Sequence, residues 1–446
     1  MPRPPVASLS MRRMFVGGGW LYLSQVLAAA LSFPLSILLA HVLGAGQYGM
    51  WGAALALAAT TRAIVSFDIT NPLTRFLVAA RHDARPDAMR LLLGSSLAAD
   101  ALSGVVTVAA VLWLAPSFAG HLAGQAALPA YWLAAFAILV GFPQATWFCV
   151  ARDQSRFPLM AALMTTQPAV QLMVALVLRH FGALTLTSLA ATYFGASVFV
   201  SVLQVLSLDL MVRRYGIRRF VLWPAELWRR AGEIGDFWRF MGQLYLGTTL
   251  AAFIVNADML ILGWHRSAAE VGCYRLAKQC FAMFDGVSVA VSAVLYQHLS
   301  EQVAARRYAH LRTWLLRLTS VWAPLTLAAV VVAALLAQPF VRLVFGAEFA
   351  PAVPMLRVLL IASAARAIMM WGLPLLQLLG RYSFQLKQLL WATPLTVWGM
   401  NMGARHYGAV GVAAALAVLY WVLSGILTFE ALRTLRIRSA ESAAAA

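Results

Sequence analysis

Residues 184–212 form a predominantly apolar run without a lysine or arginine, and the chain then turns into Arg213-Arg214-Tyr215-Gly216-Ile217-Arg218-Arg219-Phe220. A helix needs roughly 20 apolar residues to cross the hydrocarbon core of a bilayer. The run is therefore long enough to span, and the arginines behind it mark the side on which it ends. The same pattern recurs in both directions. Apolar stretches lie at about 15–43, 47–67, 88–115, 127–150, 157–178, 184–212, 237–264, 267–298, 310–337, 350–379, 383–403 and 407–432. The connections between them alternate between Arg-rich and Arg-poor. Of the 34 Lys and Arg, 22 sit in, or at the first residues bordering, one alternating set of connections, 4 in the other and 8 farther inside the apolar stretches. That asymmetry predicts about 12 transmembrane helices, all α, with both termini in the cytoplasm.

Composition agrees. The 446 residues are 62% hydrophobic and 11% charged, with mean hydropathy +0.78; a soluble chain carries about 25% charged residues. A net charge of +18 would suggest nucleic acid in a soluble protein. Here the arginines lie in loops beside the membrane, so the expected partners are anionic lipid headgroups and no nucleic acid. The three cysteines, Cys149, Cys273 and Cys280, all fall in apolar segments without a Cys/His cluster; neither a disulfide framework nor a metal site is expected, and no cofactor. Arg3, Arg12 and Arg13 precede an apolar run that continues to about Leu43. That is too long for the core of a signal peptide, so the run is expected to be a first span that stays.

The break at 213–236 divides the chain into an expected six-helix bundle at 1–212 and a second at 237–446. Within the break, basic residues interleave with Phe220, Trp223 and Trp228, which suits either an amphipathic segment on the inner membrane face or a solvated linker. The halves echo each other. Gly44, Gln47, Tyr48 and Gly49 follow the first span; Gly263, Glu270, Val271, Gly272, Cys273 and Tyr274 follow the seventh. Gly49 and Gly272 are 223 residues apart, and Phe181-Gly182-Ala183 and Tyr407-Gly408-Ala409 are 226 apart. Two landmarks at nearly one offset indicate a parallel six-plus-six duplication of the kind transporters use.

These stretches, together with Phe67-Asp68 through Arg75, Asp258-Met259-Leu260-Ile261-Leu262-Gly263 and Tyr407-Gly408-Ala409-Val410-Gly411, resemble the polysaccharide-exporter, or oligosaccharide-flippase, branch of the multidrug/oligosaccharidyl-lipid/polysaccharide (MOP) flippase superfamily. One departure is Phe67-Asp68-Ile69-Thr70-Asn71-Pro72, where relatives often carry Gly after the aromatic residue. The resemblance implies two six-helix bundles forming a V around a central cavity. It also implies a flippase that carries a polyprenyl-pyrophosphate-linked oligosaccharide from the cytoplasmic to the outer leaflet of a bacterial inner membrane, for O-antigen, capsule or exopolysaccharide synthesis. Other polysaccharide assembly proteins are candidate partners.

A charge at the bilayer centre costs about 2.5–3.5 kcal/mol on insertion scales and usually has a function. Arg239, Arg317, Lys387 and Arg357 lie near span ends and can extend to the interface. Arg62, Arg275, Lys278 and Arg366 lie deeper and are the candidates for a cationic cavity that grips pyrophosphate, since arginine binds phosphate oxygens in bidentate fashion. Asp100 and Asp285 are candidates for coupling to H+ or Na+. Folding the hairpin at residues 265–266 brings Asp258 within a turn of Arg275, an expected structural ion pair; an Arg62–Asp100 pair is a further option. Two other functions compete. A drug or metabolite antiporter of the same superfamily would favour acids in its cavity, whereas cations outnumber acids inside these spans. A membrane glycosyltransferase, polymerase or ligase would need acid/base residues on a watery face, and the short connections on the outer side carry only Glu270 and Glu348 as acids; the chain is not expected to be an enzyme.

Overall fold

A computed structural model describes residues 11–122, 125–217 and 229–444. The middle of the basic segment, 218–228, lies outside them, and with it the stretch around Trp223 that suits either an amphipathic segment or a solvated linker. Every long regular element among the described residues is an α-helix. In chain order these are α1 (Met11–Val65), α2 (Thr70–His82), α3 (Pro86–Leu122), α4 (Leu128–Val140), α5 (Gln144–Asp153), α6 (Phe157–His180), α7 (Leu186–Arg213), α8 (Gly235–His265), α9 (Ala268–Ala304), α10 (Tyr308–Phe345), α11 (Ala352–Ile368), α12 (Gly372–Leu378) and α13 (Tyr382–Ala444). Nine helical stretches among the described residues are long and apolar enough to cross a membrane. Their outer surfaces are apolar too: α10 exposes Val321, Leu325, Val331, Val332, Leu335 and Leu336. Hydrocarbon solvates such a surface and water does not. The protein is an all-α polytopic membrane protein.

Two of the helices are bent where a backbone without Cβ is required. α1 breaks at Gly44 (φ 68°) and α13 at Gly408 (φ 62°), a region L-residues rarely enter. Each bend frees a backbone N–H, and each N–H finds a carboxylate. Ala45 donates to Glu348 Oε1 at 2.7 Å, and Ala409 donates to Glu270 Oε1 at 2.6 Å. Gly182, the earlier landmark matching Gly408, also has positive φ (65°). Elsewhere the helices turn tightly. Ala84, Ser155 and Arg306 adopt the left-handed conformation, and the residue after each donates five residues back, as Arg85 does to Ala80 at 2.9 Å and Arg156 to Ala151 at 2.8 Å. This is the Schellman closure of a helix end. At the departure noted above, Ser66–Ile69 is not helical. Asp68 Oδ1 accepts from the Thr70 N–H and Oδ2 from Asn71, both at 3.2 Å, so an aspartate turn restarts the helix there.

The fold consists of two compact units. The first takes the described parts of Met1–Val42, Leu57–Gly120 and Gly124–Thr249; the second takes Leu43–Ala56, His121–Ala123 and those of Leu250–Ala446. The first unit is centred on Leu73, Leu77, Leu91, Leu93, Trp147 and Phe237, all buried. The second contains a buried cluster of Leu299, Leu311, Leu315, Leu375 and Leu435. The middle of α1 therefore belongs to the second unit, and there it meets the start of α9. Tyr48 and Tyr274 are both fully buried, and the Gly-rich stretches around Gly49 and Gly272 lie in backbone contact.

Candidate functional site

Each unit has a cavity flanked by an ion pair. In the first unit the cavity is about 570 Å3, with Arg62, Asp100, Gln144, Gln167, Tyr193 and Gln204 in its wall. Arg62 stands on α1 and Asp100 on α3. Arg62 Nη2 donates to Asp100 Oδ1 at 2.6 Å; Nη1 donates to Ser103 Oγ at 2.6 Å and to the Asp100 carbonyl at 3.2 Å. The planar guanidinium thus spans one turn of α3, which a lysine could not do. Asp100 is 3% exposed and its Oδ2 has no hydrogen-bond partner in the structure. The carboxylate is therefore held from one side only. The rest of the wall is amide and hydroxyl. Tyr193, Ser197, Ser201 and Gln204 recur on α7 at helical spacing, and Gln167 donates to Ser197 at 3.1 Å.

In the second unit the cavity is about 730 Å3 and largely apolar, lined by residues of α8, α9, α11, α12 and α13. Its charged groups are Asp285 on α9 and Arg366 on α11. Arg366 Nε lies 3.0 Å from Asp285 Oδ1, and the guanidinium carbon sits 5.1 Å from the centre of the Tyr420 ring. The contact is an ion pair and not a hydrogen bond, since Asp285 Oδ1 has no hydrogen-bond partner among the described residues. The side chain is a third exposed toward the cavity. Asp285 continues into a polar stripe, Ser288, Ser292 and Tyr296, again at helical spacing.

The remaining candidates are placed differently. Asp258, wholly buried, is met by Lys278 rather than by the expected Arg275. Lys278 Nζ donates to Asp258 Oδ1 at 2.8 Å and to the Val255 carbonyl at 2.5 Å. Asp258 Oδ2 accepts from Tyr274 at 2.8 Å and Oδ1 also from the Met259 N–H at 2.7 Å. The hairpin brings α9 to the depth of Asp258, and the rotation of α9 puts position 278 opposite it. Arg275 instead covers the Tyr48 ring at 4.7 Å, with its side chain against Gly52. Neither Lys278 nor Arg275 is in the wall that contains Arg366. Of the three cations in the second unit, only Arg366 lines this cavity, while Lys278 satisfies a buried acid; Arg62 belongs to the polar cavity of the first unit.

The two polar stripes were missed by a reading that followed charges. Their signal is in the sequence: hydroxyl and amide residues three or four apart in otherwise apolar spans share one helical face, as 193, 197, 201 and 204 do, and 285, 288, 292 and 296. Among the described residues no group of three His, Cys, Asp or Glu is placed to hold a metal ion.

Comparison with known proteins agrees with this architecture. No curated protein sequence matches the chain. Among solved structures, the fold is similar to an inward-facing multidrug resistance MATE family transporter of the MOP superfamily, at 13% identity over 94% of this chain and 95% of that one, with TM-score 0.69. It is similar to the lipid II flippase MurJ, inward closed, at 12% identity over 96% and 90%, with TM-score 0.72. A MOP superfamily transporter from Pyrococcus furiosus aligns at 13% identity over 96% and 94%, with TM-score 0.56. The model of the family described as polysaccharide biosynthesis protein matches residues 15–302. With well over half of its length matched, and with the helices, bends and twin cavities above, the chain belongs to the polysaccharide biosynthesis protein family.

Proposed function

We propose that this protein is a flippase that moves a polyprenyl-pyrophosphate-linked oligosaccharide from the cytoplasmic to the outer leaflet of a bacterial inner membrane by alternating access. The observation that carries this reading is Arg366, a cation in the wall of a wide apolar cavity within spanning helices, facing a single exchangeable carboxylate. A pyrophosphate carries more charge than Asp285 and offers several oxygens to the guanidinium fork. It competes for Arg366 and releases Asp285. A carboxylate stripped of its cation inside a membrane needs a new counter-charge, and an incoming H+ or Na+ supplies it. Substrate entry and ion uptake are thereby linked at one residue pair. Arg62 with Asp100 offers a second coupling pair, whose buried, unshared Oδ2 is the atom a proton or sodium ion would take. The hydroxyl and amide stripes are of the kind that hydrogen-bond sugars.

The test is leaflet transfer of a polyprenyl-pyrophosphate sugar in reconstituted vesicles, with proton and sodium gradients imposed separately. Arg366→Gln should abolish transfer while the protein still inserts, and Asp285→Asn should retain substrate binding but lose the response to one gradient. Normal transfer by Arg366→Gln would overturn this reading.

A further inference from the structure

The second unit holds another cavity that none of the ion pairs touches. It is a groove of about 590 Å3 between the two arms of α13, before and after the bend at Gly408. The arms cross in backbone contact: a β-carbon on Gly403 would lie 2.6 Å from the Gly411 carbonyl, and one on Gly411 would lie 2.3 Å from that of Gly403. Away from the crossing they diverge, and at Gly399 the nearest neighbour, the Ala415 β-carbon, is already 3.8 Å off. The opening wedge is floored by these small residues and walled by Trp391, Leu395, Trp398 and Tyr407, all well exposed. From position 391 to 407 the groove runs about 24 Å along the helix, most of the roughly 30 Å of a hydrocarbon core. Its walls are almost entirely apolar, with His406, Thr396, the Tyr407 hydroxyl and the indole N–H groups of Trp391 and Trp398 the polar groups.

The groove adjoins the cavity that holds Arg366. Leu419 and Leu423 line both, so one row of the second arm of α13 lies between a cavity that holds a charged pair and an apolar, lipid-facing slot. A bulk lipid would need only the slot. A molecule with a diphosphate at one end and a long hydrocarbon chain at the other fits the two together. We propose that the groove between the arms of α13 is the binding site for the polyisoprenoid chain of the substrate, with the diphosphate at Arg366 and the chain passing the Leu419–Leu423 row into the slot. This rests on the flippase reading above and assigns the tail a place that the head-group site leaves open. Within a bilayer the tail exchanges lipid contacts for groove contacts, so its preference comes from packing against flat indole and glycine surfaces rather than from the hydrophobic effect.

The test uses the full chain in vesicles with a photoreactive benzophenone amino acid at position 395 in the groove, and at the lipid-facing position 325 of α10 as reference; both side chains are more than half exposed. Radiolabelled undecaprenyl pyrophosphate and radiolabelled phosphatidylglycerol serve as probes, and binding of water-soluble geranyl pyrophosphate is measured separately. Undecaprenyl pyrophosphate should be captured at 395 at least about fivefold more than at 325, an excess that packing contacts can supply. That excess should vanish in Arg366→Gln, and phosphatidylglycerol should show none. Equal capture at 395 and 325, an excess unaffected by Arg366→Gln, or an equal excess of phosphatidylglycerol overturns the groove assignment. If geranyl pyrophosphate still binds in an Arg366-dependent way, the head-group reading survives that failure. If it does not bind, both fall.

Discussion

Gly49 and Gly272, 223 residues apart in the chain, pack reciprocally. A β-carbon on Gly49 would lie 1.8 Å from the Ala268 carbonyl oxygen, and one on Gly272 would lie 2.0 Å from that of Ala45. Residues 45 and 268 are also 223 apart, so each glycine contacts the residue that stands to its partner as the other contact residue stands to it. This is the self-complementary contact that a two-fold relation produces, here between two stretches of one chain.

Replacing either glycine by alanine should therefore be severe. The obstructing atoms belong to the backbone and cannot rotate away. Overpacking a core costs about 1–3 kcal/mol, and a backbone clash belongs at the upper end. Gly46→Ala, a neighbouring position with nothing within 4 Å, should be neutral. Thermal unfolding of the three variants in detergent separates them; equal midpoints would refute the close crossing.

The bends depend on their carboxylates. Glu348→Ala and Glu270→Ala each remove the acceptor from a single N–H, of Ala45 and Ala409 respectively, at an expected cost of about 1–2 kcal/mol. Glutamine keeps an acceptor oxygen and should lose less. Hydrogen exchange at these two amides, faster in the alanine variants and near wild type in the glutamine ones, checks it.

Lys278→Met leaves a wholly buried Asp258 without its cation. Breaking a buried pair from one side costs about 3–5 kcal/mol, and pairing the change with Asp258→Asn should recover part of it. A double-mutant cycle for Asp258 and Arg275 should show weaker coupling, because Arg275 rests on the Tyr48 ring. Stronger coupling for Arg275 would reverse the pairing described here.

Tyr215, just beyond the last turn of α7, donates to Asp153, which also binds Arg81 at 2.9 Å. Burial, and then the bond to Asp153, hold the phenol above its ordinary range. A raised value in the folded state means that the stabilisation is complete below the unfolded tyrosine value of about 10 and is lost as pH rises through the folded one. Wild-type melting temperature should fall more steeply above pH 10 than that of Tyr215→Phe. At neutral pH the variant should lose about 1 kcal/mol.

Much of the fold is legible because its causes are local. Long apolar runs broken by arginine clusters read as spanning helices, and the α-helical membrane architecture follows from them. Gly44, Gly182 and Gly408 stand out by position, and each proves to have positive φ. Asp68, which departs from the family pattern, closes a local aspartate turn ahead of α2. The polar stripes of α7 and α9 were equally legible by periodicity, and only attention to charge alone passed over them.

The sequence by itself determined which segments enter the membrane, where the helices bend and which ionisable residues are drawn in with them, because hydropathy, glycine backbone freedom and the cost of burying charge act along the chain. The tertiary structure decided who pairs with whom. Counting residues gives a side chain's depth along its helix but not its azimuth, and azimuth is set by how neighbouring helices rotate and pack. A turn of α9 thus gave Asp258 to Lys278 and placed Asp285 opposite Arg366. The same packing brought Gly49 against the Ala268 carbonyl, a contact that no local rule foretells.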